Sequence, residues 1–195
     1  MHTFREEIKA EAQEALSYFP ELANVHIRFE YSRISVQSFM LAQPVVNWRF
    51  WHRGSRQYRI KIKKSLVVNN PNFSDKYPRR DVLVGWLGHE LGHIVDYYPR
   101  RSLNLIWFGI RYHFFPSFLK KAEITADRNT VKAGLTRQLI LSKQFGREVS
   151  IFSKSYIHKL NRLYPSIEAV RQWDAEERKA KSATISARSQ APAAE

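Results

Sequence analysis

The sequence predicts an α+β fold: a small twisted, mostly antiparallel sheet packed on one central helix, followed by a helical C-terminal half. Three observations predict it. Apolar and polar residues alternate in Val25-His26-Ile27-Arg28-Phe29 and again through 45–66, the period of half-buried strands. Trp86, Leu87, Leu91, Ile94 and Val95 crowd a stretch with helix signals at both ends, as a buried helix requires. Beyond residue 118 the chain reads as successive helices punctuated by Gly134, Gly146 and Pro165. The length of 195 residues suits one domain, set at 1–180; the Ser-, Ala-, Arg- and Pro-containing stretch 181–195 is predicted to be a disordered tail.

Residues 3–19 read as an amphipathic helix. Thr3 and Glu6 have capping-box spacing, Phe4, Ile8, Ala12, Ala15, Leu16 and Phe19 form the apolar stripe, and Pro20 follows the end. The strand at 25–29 leaves His26 on its polar face. A second strand is expected within 36–46, interrupted by Pro44. The clearest β signal is a hairpin over 45–66: Val46, Trp48 and Phe50 alternate on one arm, and Tyr58, Ile60 and Ile62 on the other. Gly54 stands in the turn between them. Asn, Pro and Ser mark 69–80 as a loop.

Asp81 has the chemistry of an N-cap for the central helix, and Pro99 ends it, with Arg100 and Arg101 near its negative end. Asp96 reads as a salt-bridged helix end. Residues 103–119 are the most hydrophobic stretch. It is too short to span a bilayer, and Arg111, His113 and Pro116 interrupt it. The expectation is a core helix behind the central one; the alternative is an interfacial segment, since Trp and Phe flanked by Arg and Lys suit a headgroup zone. Helices follow at 118–133, 135–145, 151–163 and from Pro165 to about 180.

Chemistry concentrates in His89-Glu90-Leu91-Gly92-His93. On an α-helix His89 and His93 project from one face a turn apart, so both imidazoles can converge on one small cation. Glu90 lies about 100° round the helix, placed to take a proton from water that the metal activates. A catalytic site of this kind usually has a third protein ligand. The position six residues after His93 is Pro99, which cannot serve. Glu123 is the candidate, and Asp127, four residues later on the same face, can accept the spare ring N–H of a ligand His. The competing readings are a hydrogen-bonded pair of core histidines, and a solvated carboxylate face pairing with Lys120 or Arg128.

The two motifs together, H-E-x-x-H and E-x-x-x-D, resemble the gluzincin group of zinc metallopeptidases over roughly residues 45–135, most closely small single-domain minigluzincin-like members. The resemblance implies a zincin-like fold and Zn²⁺ held by His89, His93 and Glu123. It also implies peptide-bond hydrolysis with Glu90 as general base, and Asp127 orienting a ligand. Protein or peptide substrates would lie along a rim strand of the sheet by β-augmentation. In that group the oxyanion donor comes from downstream of the third ligand, where Tyr156, His158 and Tyr164 are candidates; His113 reads as packing. The alternative is a catalytically silent, metallopeptidase-like zinc-binding module that engages anionic partners.

That alternative draws on composition. Lys and Arg number 32 against 18 Asp and Glu, a net charge of +14, which attracts polyanions or an anionic membrane surface. No helix-turn-helix, RNA-recognition or zinc-finger pattern accompanies it. With no cysteine there is neither a disulfide framework nor a thiolate ligand. The N-terminus lacks the apolar run of a signal peptide, so a cytoplasmic location is expected. Oligomeric state is not specified by any of these features.

Overall fold

The alternation around residue 27 forms β1 (His26–Tyr31), with Ile27 and Phe29 buried. The structure is a computed structural model that describes residues 2–32, 39–67, 70–148 and 154–189. Strands β2 (Met40–Pro44) and β3 (Gln57–Ile62) complete a three-stranded sheet of order β1-β3-β2. β1 runs parallel to β3, with Phe29 opposite Ile60; β2 runs antiparallel, with Ala42 opposite Ile60. The sheet is therefore mixed rather than mostly antiparallel.

The expected hairpin over 45–66 forms only in its second arm. Trp48–Trp51 and Arg53–Ser55 wind into short 3₁₀ turns, and Trp48 is 70% exposed. The Asn47 side chain starts the first turn by accepting the Arg49 N–H at 2.9 Å, which competes with strand geometry locally. β2 takes the place of the missing arm. Phe39 O and Val45 N–H bond toward β3, while Ala42 N–H points to the other side. By that alternation the nitrogen of Pro44 lies on the free edge, where a missing donor breaks no ladder bond.

At the N-terminus Thr3 does not cap a helix. Its backbone pairs with β1 instead, Thr3 N–H to Ile27 O at 3.1 Å and Phe29 N–H to Thr3 O at 2.8 Å. The helix α1 (Lys9–Ser17) follows a 3₁₀ turn and buries Ala12 and Ala15, in the core with Ile8 and Phe19. After the single turn α2 (Lys64–Val67), the central helix α3 (Arg79–Tyr97) begins two residues before Asp81. Asp81 pairs with Arg137 at 2.9 Å rather than capping, and Asp96 pairs with Arg100 at 2.8 Å as expected.

Then come α4 (Ser102–Phe114), α5 (Pro116–Ala133), α6 (Thr136–Glu148), α7 (Lys154–Leu163) and α8 (Ile167–Ser189). Gly134, at φ 96°, ends α5 in the left-handed conformation that glycine adopts freely. Gly146 does not end α6 but lies buried within it. α8 continues through 181–189, so that part of the expected tail is helical; residues 190–195 lie outside the described residues.

α3 contacts α1, β2, α5 and α6. Its neighbours sit against its backbone: a Cβ on Gly85 would lie 2.1 Å from Gln138 O of α6, and one on Gly92 2.4 Å from Ala126 O of α5. α4 is not the core helix expected of 103–119. Leu105 and Phe108 are buried, but Leu103, Trp107 and Phe114 are exposed, because α4 packs along one side only, chiefly on α5. Among the described residues no helix is long and apolar enough to cross a membrane.

Candidate metal centre

Helical geometry sets His89 and His93 a turn apart on α3, their rings edge to face with centroids 4.8 Å apart. α5 packs closely on α3 at Gly92 and brings Glu123 to both rings. Glu123 Oε2 is 3.0 Å from His89 Nε2, and Oε1 is 3.6 Å from His93 Nε2. One donor atom from each residue lies within 4.8 Å of the others, so the three could hold a metal ion. Glu123 is only 1% exposed, and its Oε2 has no hydrogen-bond partner beyond the His89 ring. A neutral His89, whose Nδ1–H is given to Asp127, offers that oxygen no proton, and a cation shared with the imidazoles would satisfy it. Oε1 already accepts the Tyr112 hydroxyl of α4 at 2.5 Å.

Asp127 completes the arrangement behind His89. The His89 Nδ1–H donates to Asp127 Oδ1 at 2.8 Å, which turns Nε2 toward Glu123. Lys143 of α6 balances the aspartate charge at 2.7 Å. Asp127 is fully buried, so the solvated-face reading does not hold; Arg128 instead lies over Trp173 of α8. Burial alone would lower the His89 pKa, but the hydrogen bonds and charges of Asp127 and Glu123 outweigh it and raise it to about 10. Burial would raise both carboxylates. Instead His93 and His89 hold Glu123 well below its ordinary value, and Lys143 and His89 lower Asp127.

Glu90 lines the same cleft yet stands apart from the three donors. Its Oε2 accepts the Ala42 N–H of β2 at 2.6 Å. Burial pushes its carboxyl up, against the opposing pull of His89 and His93. The cavity in the cleft beside these residues is about 100 Å³. Residues Phe39–Ala42 wall one side, and Tyr112, Lys143, Arg147 and Tyr164 contribute to its lining.

No family model, curated protein or solved structure matches this chain.

The geometry brings together His89, Glu90, His93, Glu123 and Asp127. It does not bring in His158, which is exposed on α7 and outside the cleft lining. The Tyr156 side chain lies outside the described residues. Tyr164 lines the cleft, and His113 is exposed on α4. Sequence reasoning missed Tyr112 and Lys143. Tyr112 carried a usable signal, a hydroxyl on the inward stripe of Leu105 and Phe108. Lys143 carried none, since one lysine on an amphipathic helix is ordinarily solvated.

Proposed function

We propose that this chain is a zinc-dependent metallopeptidase acting on protein or peptide substrates. The observation that carries the reading is Glu90, a buried carboxylate on the wall of the metal-donor cleft that is not itself one of the three donors. Two imidazoles and one carboxylate are a donor set of catalytic zinc, and His89, His93 and Glu123 would hold the ion here. Bound there, zinc would polarise the scissile carbonyl and bring the pKa of its water to about 7.

The chain's own residues supply the rest. Glu90 takes a proton from the attacking water and delivers it to the leaving amine, acting first as base and then as acid. Burial, by raising its carboxyl, makes it a better proton acceptor than an exposed carboxylate. Asp127 fixes the tautomer of His89. Tyr164 and Arg147 supply donors at the cleft wall for the developing oxyanion. Phe39, Met40, Leu41 and Ala42 line the cleft, and an extended peptide would lie along this wall.

The test is Glu90→Gln. It should retain full zinc and wild-type thermal stability while peptide hydrolysis falls by about 10²–10⁴-fold. A wild-type protein with stoichiometric zinc that cleaves nothing in a diverse peptide library would leave the silent zinc-binding module as the reading.

A further inference from the structure

We propose that the outer face of α4, with the neighbouring Trp48 and Trp51, is a docking surface for an anionic lipid bilayer. α4 has two faces. Leu105, Phe108 and Tyr112 turn inward, while Leu103, Ile106, Trp107, Ile110 and Phe114 form a stripe on the outside at helical spacing. Leu103 is 71% exposed, Trp107 59% and Phe114 69%. An exposed patch of this kind marks an interaction site rather than ordinary surface.

The two exposed tryptophans of the first 3₁₀ turn are fixed to the same region. The buried guanidinium of Arg56 donates to Phe50 O at 3.1 Å, Arg100 O at 2.9 Å and Ser102 Oγ at 2.9 Å. Ser102 Oγ in turn donates to Phe50 O at 2.8 Å. The turn that carries Trp48 and Trp51 is thereby tied to the first residue of α4.

Charge selects the occupant. Between Asp96 and Glu123 the chain has five Lys and Arg and no carboxylate; between Glu30 and Asp75 it has eight and again none. Arg49 lies over Trp48 at 4.9 Å and Arg111 over Phe118 at 4.2 Å, so cationic groups rim the aromatic ones. Apolar rings bordered by arginine fit the boundary between acyl chains and anionic headgroups. A second copy of the chain would set this positive rim against itself, which disfavours self-association through the face. No described helix can cross the bilayer, so α4 lies in its surface. Tyr112 on the opposite face of α4 donates to Glu123, so one helix links the docking face to the candidate metal centre.

Flotation of the full chain with phosphatidylcholine vesicles, with and without phosphatidylglycerol, tests this at physiological salt. The wild type should float with the anionic vesicles and show a blue-shifted tryptophan emission. Trp107→Ser with Phe114→Ser should weaken binding at least about tenfold, with zinc content and circular dichroism unchanged. Arg49→Gln with Arg101→Gln should weaken it on anionic vesicles and make the remaining binding less dependent on salt. Absence of wild-type flotation overturns the proposal. So does a Trp107→Ser, Phe114→Ser variant that floats like wild type, or equal binding to neutral vesicles. A wild-type dimer in sedimentation that Trp107→Ser dissociates, without vesicle binding, makes the face a self-association surface and also overturns it.

Discussion

Asp127 shows how much a single buried side chain can do here: it orients His89, and Lys143 balances its charge. Asp127→Ala should weaken zinc binding by about 10–100-fold, measured by competition with a chelating dye. His89 supplies a pH dependence. Its pKa, raised to about 10 by Asp127 and Glu123 against the effect of burial, leaves the metal-free ring protonated between pH 6 and 8. Zinc needs the neutral ring, so binding should release one proton and strengthen roughly tenfold per pH unit over that range. Calorimetry in two buffers of different ionisation enthalpy counts that proton. The five residues legible in the sequence were legible because i,i+4 spacing on a helix is itself geometry. The inward stripe of α4 marks Tyr112 as core-facing, but that it and Lys143 meet at this site follows from the packing of α4 and α6, which no local spacing encodes.

Among elements, α3 depends on having no side chain where its neighbours cross. Gly92→Ala would drive a methyl into Ala126 O and should cost about 1–3 kcal/mol in urea denaturation. Gly109→Ala, in an exposed helical position with open space around it, should instead gain up to about 1 kcal/mol. The helices were largely legible from caps and apolar spacing, and the helical C-terminal half follows that reading. The hairpin was not, because alternation over Val46, Trp48 and Phe50 is equally satisfied by a 3₁₀ turn that buries only Phe50. The α4 stretch was misread for a related reason: a strongly apolar composition states what a helix can bury, not whether a neighbour is there to cover it.

At the scale of the whole molecule, a bound metal would join α3 to α5 and should stabilise the folded chain by about 4.1 kcal/mol at a thousandfold excess of free zinc over Kd. Melting in a zinc series and with chelator measures this, and a melting temperature independent of zinc would contradict the site. The sheet and the helical half also meet at one buried hydrogen bond, from Ala42 N–H to Glu90. That proton sits on an edge strand, where amides normally trade with solvent quickly. Here it should exchange slowly, at a rate set by how often the sheet parts from α3, which makes a single amide a clock for the breathing of the cleft.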